Sequence, residues 1–243
     1  MKKPFTFKRI LKIISGVIIF FTLPTILLLG YIYFKYNQDL PIVKPSVEAD
    51  ILAHKMLKSL DFEAYKNTDY IEFTFKNRHH YKWNKLENSC QVYWKQFQVD
   101  LDLANTKNSK VLIGKQPYNG VEKNQYIKTA IDYFNNDSFW LVAPYKVFDK
   151  GTTRAIATNQ DGEKGLLVTY TSGGSTPGDA YLWHLDQNNF PKSFQMWTSI
   201  LPIDGFPSSW DNWTTTKTGA KLPTFHKLGF LGLEITGIKT EKN

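Results

Sequence analysis

The residues best suited to chemistry are thinly spread through these 243 residues. His54, His79, His80, His184 and His226 are the only imidazoles available for proton transfer or metal binding. His79 and His80 are adjacent, and neighbours on a strand point to opposite faces, so an unbroken strand cannot bring both to one metal. His184 and Asp186 are two apart and can share a face, but the remaining ligands of a zinc site have no counterpart at a telling spacing. Cys90 is the sole cysteine, so there is no intrachain disulfide, and it reads as a small buried or half-buried strand residue. It also lies too late to be the lipidated cysteine that would follow the apolar N-terminal segment.

Serine chemistry fares no better. G-x-S-x-G is absent, and Ser175, in SGGSTPGD, has no partner identifiable by spacing. The same stretch lacks the G-K-[ST] ending of a phosphate loop and leads into Tyr181-Leu182-Trp183, so it reads as a long hairpin turn. Asp100 and Asp102 alternate with Val99 and Leu101, as on the solvated side of a strand. No catalytic residue, metal ligand or cofactor is assigned, and the chain reads as a non-enzyme. A hydrolase would need a serine or aspartate to meet a histidine in the fold, for example Ser175 and His184.

The unusual feature is the aromatic load: Trp83, Trp94, Trp140, Trp183, Trp197, Trp210 and Trp213, with Phe139 beside them. On the inner face of a curved sheet such rings are either core or the wall of a cavity for a greasy ligand. Phe73, Trp83, Trp94, Phe139, Trp140, Trp183 and Trp197 are the cavity candidates. At ~0.8 kcal/mol per buried CH₂, a long acyl chain could gain on the order of 10 kcal/mol there.

The elements that must position these rings begin with an anchor. Ile13 to Phe34 are 22 residues without a charge, and a helix needs ~20 to cross a hydrocarbon core. Pro24 and Gly30 are tolerated in lipid, and Tyr31, Tyr33 and Tyr36 with Lys35 suit an interfacial belt. Lys2, Lys3, Lys8, Arg9 and Lys12 precede the segment, which places the N-terminus in the cytoplasm. A cleaved signal is shorter and ends at small residues, unlike Tyr31-Ile32-Tyr33-Phe34. The organisation expected is a basic tail over 1–12, a transmembrane helix over 13–34, a linker over 35–45 reaching at most ~35 to 40 Å, and a domain over 46–243. The formal charge of +8 is mostly that tail, since the rest carries 25 basic against 22 acidic residues. No basic run with interleaved aromatics offers itself to nucleic acid.

In the domain, Ser46 offers an N-cap for a helix to about Leu60, with Val47, Ile51, Met56, Leu57 and Leu60 as its apolar stripe. Ile71, Phe73 and Phe75, then Tyr81 and Trp83, alternate with polar residues as half-buried strands do. Val92 and Trp94 sit on even positions but Phe97, Val99, Leu101 and Leu103 on odd ones, which predicts a bulge or bend near Lys95 and Gln96. Asn119-Gly120 marks a turn, and Ile127, Ala130, Ile131 and Phe134 predict a second helix. Strands follow around 153–158, 165–171, 179–186, 193–200, 213–217 and 231–238. The fold class expected is mainly β (α+β): an N-terminal transmembrane helix, then a curved antiparallel half-barrel covered by two or more helices.

The opening helix SVEADILAHKMLKSL, the strands IEFTF and HHYKW, the segments YFNNDSFWLVAPYKVFDKG and AYLWHLDQNNFPKSFQMW, and GAKLPTFH followed by LGLEITGIK resemble the LolA-like superfamily of periplasmic lipoprotein carriers. They are closer to uncharacterised envelope proteins of Bacteroidetes-type bacteria. The likeness covers residues 46 to 238 in order and spacing. It implies a half-open antiparallel barrel whose cavity binds lipid, and no ligand-contacting residue of the carriers is placed here. The carriers cross the periplasm, whereas this chain is expected to stay at the inner membrane. The partners implied are membrane lipid along 13–34 and a lipid or lipoprotein acyl chain in the domain. The alternative is a structural or interaction protein docking an envelope partner.

Overall fold

The structure, a computed structural model, describes residues 7–172 and 176–242. Ser175, the tail residues Lys2 and Lys3, and the central glycines of the 172–179 turn lie outside the described residues. Helix α1 (Phe7–Tyr36) is 30 residues long, keeps Pro24 within it, buries none of its side chains, and is apolar and long enough to cross a membrane.

The domain is mainly β. Its first strands are β1 (Tyr70–Phe75), β2 (His79–Asn84), β3 (Ser89–Trp94), β4 (Phe97–Asp102), β5 (Lys110–Ile113) and β6 (Gln116–Tyr118). After a helical segment come β7 (Thr152–Thr158), β8 (Lys164–Tyr170), β9 (Ala180–Leu185), β10 (Pro191–Trp197), β11 (Phe206–Ser209), β12 (Asp211–Thr215), β13 (Lys221–Leu228) and β14 (Leu231–Glu241). The strand order is β6-β5-β4-β3-β2-β1-β14-β13-β11-β10-β9-β8-β7, with β12 beside β13, and the pairs are antiparallel. Strands β6 and β7 stand at opposite ends and do not pair, so the sheet is not closed into a barrel.

Strand β14 welds the two halves. Its first residues pair with β13 and its later ones with β1. The register slips opposite Phe73, where Gly237 takes φ 64, a left-handed conformation that glycine adopts without a Cβ clash and that lets a strand turn a corner. Period-two alternation holds in β1, where Ile71, Phe73 and Phe75 are buried between half-buried neighbours.

Several expectations need correction. Of the bulge or bend expected at Lys95 and Gln96, the chain makes the sharpest kind of bend, a hairpin turn, and no bulge: Trp94 pairs with Phe97, and Lys95 takes φ 50 to close a two-residue loop. The strand expected over 193–200 stops at Trp197, and β5, β6, β11 and β13 were not foreseen. Proline accounts for three of these, because Pro117, Pro207 and Pro223 lie within β6, β11 and β13, and a residue without an N–H reads as a strand breaker.

Helix α2 (Val47–Ser59) is capped as expected, with the Ser46 hydroxyl accepting from the Ala49 N–H at 3.2 Å. Its buried stripe is Ala49, Ala53, Met56 and Leu57, continuing to Leu60, while Val47 and Ile51 are exposed. Alanine lets the helix lie close on β7 and β8, and Arg154 of β7 donates to Asp50 at 2.5 Å. A short α3 (Phe62–Lys66) follows, and α4 (Lys123–Val142) buries Ile127, Ala130, Phe134 and Leu141. These helices share one core with the sheet's inner face, running from Phe73 and Tyr81 to Trp183 and Phe194.

The outer face of β7 to β10 carries a second, smaller cluster of Ala157, Leu167, Ala180, Leu182 and Trp197. The linker covers it. Gln38 is 8% exposed; its N–H donates to the Asp204 carbonyl at 2.9 Å, and its side-chain oxygen accepts from Gln195 at 3.2 Å. Asp204 N–H donates to Asn37 at 3.0 Å, and the Tyr36 ring lies 5.3 Å from Phe206. The start of the linker is therefore docked, not free.

Candidate functional site

Helix α4 lies across the inner face, and its amphipathic pattern decides what it leaves open. Phe134 and Leu141 go down into the core, whereas Phe139 and Trp140, one position round, stay half-buried and reach toward the ends of β8, β9 and β10. Between this flank and those strands lies a cleft of about 790 Å³. Its apolar wall is built from Phe139, 4.6 Å from Tyr181, and Trp140, 5.8 Å from Phe194, with Met196 and Val142 beside them. Trp83 closes one side through an edge contact of 5.2 Å with Phe134.

The cleft has a polar end where three strands terminate. Tyr170 ends β8, Asp179 precedes β9 and Thr198 follows β10. The Tyr170 N–H donates to the Asp179 carbonyl at 2.9 Å, and Ala180 pairs with Trp197, so the three residues stand side by side. The Asp179 carboxylate accepts from the Thr176 hydroxyl at 2.5 Å, the Tyr181 hydroxyl at 3.2 Å and the Ser199 N–H at 3.4 Å. Burial pushes the phenols of Tyr170 and Tyr181 well above their usual range, with the charges of Asp149 and Asp179 adding respectively. The rim carries Lys128 paired with Asp132, Lys146 paired with Asp149, and the exposed Lys150.

Of the seven rings named from sequence, Trp83, Phe139 and Trp140 line the cleft and four do not. Phe73 is fully buried, stacked on Tyr81 at 4.6 Å. Trp94 stacks on Phe97 and meets Tyr133 at the far half of the sheet. Trp183 is fully buried beneath Phe194 and Trp210. Trp197 points to the outer face, because β10 alternates and Phe194 and Met196 hold the inner positions. Tyr170, Tyr181, Phe194 and Met196 were missed as lining residues. The parity of Tyr181 with Trp183 was the available signal for one of them.

A second constellation links β2 to α4. His79 Nδ1 lies 2.7 Å from Asp137 Oδ2, the Tyr81 hydroxyl donates to the same oxygen at 2.5 Å, and the His79 ring stacks on Tyr133 at 4.0 Å. Asp137 is 2% exposed, and burial together with its charge pushes the Tyr81 phenol far up. Asp137 thereby clamps β2 to α4 through His79 and Tyr81. His80 faces the other way, to Thr74 and Glu72. His184 sits 3.4 Å from Gln195 and 3.8 Å from Glu163. Among the described residues no group of three or more His, Cys, Asp and Glu side chains is gathered to hold a metal ion. Cys90 is buried, and burial pushes its thiol up.

Fold and site together define a mainly β domain with a large, unclosed antiparallel sheet, a few helices, one apolar N-terminal helix and an aromatic cleft. No protein-family model matches the chain, and no curated protein matches it. Among solved structures the chain is similar to a DUF1329 family protein from Desulfovibrio piger, with a TM-score of 0.42 and 10% identity over 82% of this chain and 94% of that one. No residue role is carried over from it.

Proposed function

We propose that this chain is a membrane-tethered, non-enzymatic binding module that holds a lipid, a lipoprotein acyl chain or another apolar amphiphile between α4 and strands β8 to β10. In this reading α1 is an uncleaved anchor in the inner membrane with the N-terminus in the cytoplasm, and residues 46–243 form a periplasmic LolA-like half-barrel. The observation that carries it is the cleft itself: about 790 Å³ walled by Phe139, Trp140, Phe194 and Met196, well within the ~300 to 1,000 Å³ of ligand pockets. Its position adds support. Thr198 and Ile200 line the cleft, and the same loop is tied through Asp204 to Asn37 and Gln38, directly after α1 ends.

The test is photolabelling of the full chain in nanodiscs whose phospholipid carries a diazirine on one acyl chain, with adducts mapped by peptide mass spectrometry. Label on α1 shows that the lipid reacts. Label on peptides containing Phe139, Trp140 or Phe194 is the expected result, and label confined to α1 overturns the proposal. One observation favours a second reading, a structural or interaction protein of the envelope: Phe73, Tyr81 and Trp183 fill their part of the inner face completely. That reading predicts label on α1 alone.

A further inference from the structure

The polar end of the cleft is built for a group that the described residues do not supply. Asp179 is 6% exposed, lines the cleft, and is held by two hydroxyls and one backbone N–H, with no cation in ion-pair contact among the described residues. A buried carboxylate is costly unless a positive charge or a full set of donors compensates it. Beside it, Thr198 is 7% exposed, and its Oγ1 has no hydrogen-bond partner among the described residues. Buried polar atoms in folded proteins are nearly always satisfied, so an unpartnered hydroxyl next to a carboxylate without a cation, at the end of an open cleft, marks a place for a ligand's polar group.

The rim does not compete for that position. Lys128 and Lys146 are engaged with Asp132 and Asp149. Lys150 is exposed at the rim, two chain segments away from Asp179: Gly151 accepts from Thr171 at 2.7 Å, and Tyr170 donates to Asp179 at 2.9 Å. Neighbouring strands lie ~4.8 Å apart, so the backbones that carry the two residues stand roughly 10 Å apart. A carboxylate inside and a lysine further out suit a head group with its cation deepest.

We infer that the cleft selects amphiphiles bearing a primary ammonium, which Asp179 neutralises while the Thr198 hydroxyl accepts one of its remaining protons. An ammonium has three donors and no acceptor, which suits a carboxylate beside a hydroxyl oxygen that has no other partner among the described residues. The inference rests on the cleft being the binding site proposed above.

The experiment is native mass spectrometry of the full chain in mild detergent with equimolar dioleoyl phosphatidylethanolamine and dioleoyl phosphatidylglycerol. Wild type is expected to retain the ethanolamine lipid about tenfold over the glycerol lipid, the scale of one hydrogen bond to a charged group. Asp179→Asn and, independently, Thr198→Val are expected to bring the ratio down to about twofold or less, again on the scale of one such bond lost. Lipid held along α1 is indifferent to both substitutions. Equal retention of the two lipids by wild type overturns the ammonium assignment while leaving an apolar cleft in place. Retention of neither overturns both. Ethanolamine without acyl chains, in tenfold excess over the lipid, is expected not to displace it; displacement would overturn the assignment to an amphiphile.

Discussion

The indole Nε1 of Trp197 donates to the backbone carbonyl of Gln38 at 2.7 Å. This bond crosses from β10 to the first residues after α1, and it closes the outer cluster of Ala157, Leu167, Ala180 and Leu182. A ring that sequence reading placed in a ligand cavity instead fastens the domain to the end of its helix. The carbonyl is buried, so losing the donor leaves it unsatisfied, at about 1 to 3 kcal/mol. Trp197→Phe is expected to lower the melting temperature by roughly 2 to 12 °C, taking ~2 to 4 °C per kcal/mol for a domain of this size. It should also speed cleavage by endoproteinase Asp-N on the N-terminal side of the exposed Asp39, read by gel. Unchanged cleavage would mean that the strap holds without this bond.

His226 predicts an acid-sensitive stability. It is fully buried between Trp140 and Trp210, its Nδ1 lies 2.9 Å from the Ser209 carbonyl, and its Nε2 has no partner among the described residues. Burial lowers its pKa to about 4, against the opposing pull of the Ser209 and Trp140 carbonyls and of Asp211. The unfolded chain therefore takes up this proton at higher pH than the folded one. Stability is lost as pH falls through about 6.5 toward 4, by up to about 3 kcal/mol from this group. Urea midpoints of wild type should fall between pH 6.5 and 5, before most carboxylates titrate, and His226→Gln should flatten that slope. Parallel slopes in the two proteins would show that another group is responsible.

The clamp of His79, Tyr81 and Asp137 predicts a strongly coupled network. Both side chains of β2 address one carboxylate oxygen on α4. Asp137→Ala should cost about 3 kcal/mol, because it strands a buried phenol and an imidazole together. Tyr81→Phe should cost nearer 1 to 2 kcal/mol. In a double-mutant cycle by chemical denaturation the coupling should exceed about 0.5 kcal/mol. Additive losses would mean that the phenol and the carboxylate are satisfied separately.

How much of this could be read from the residues follows the physics of each signal. Helix α1 announces itself because 22 uncharged residues have few soluble alternatives. The cap at Ser46, the period-two run of β1 and the apolar face of α4 are local patterns, and each is found where it was expected. Strands containing Pro117, Pro207 and Pro223 were lost because a residue without an N–H reads as a breaker, although each pairs with a strand close by in sequence, at Leu112, Gln195 and Trp213 respectively. Alternation cannot say which face of β10 is inner, so Trp197 was placed with Trp183 although the two lie on opposite sides of the sheet. The polar end of the cleft had no motif. Tyr170, Asp179 and Thr198 come together only because three strands end at one level.

Entry to the cleft gives the last prediction. Ile200 is 64% exposed, lines the cleft, and sits four residues before Asp204, which is bonded to Asn37 just past the end of α1. Four extended residues span at most ~14 Å, so in a membrane-anchored chain the mouth of the cleft opens within reach of the lipid head groups. On the function proposed above, an amphiphile would pass from bilayer to cleft without crossing open water. Ile200→Glu places a charge in that path, while stability should change by no more than about 0.5 kcal/mol, as is usual for an exposed site. In nanodiscs containing the diazirine lipid, the variant is expected to label α1 as wild type does and to label the Phe139 and Trp140 peptides several-fold more slowly. Equal labelling rates would show that the ligand enters from another side, and slower labelling of α1 as well would point to a change in the anchor itself.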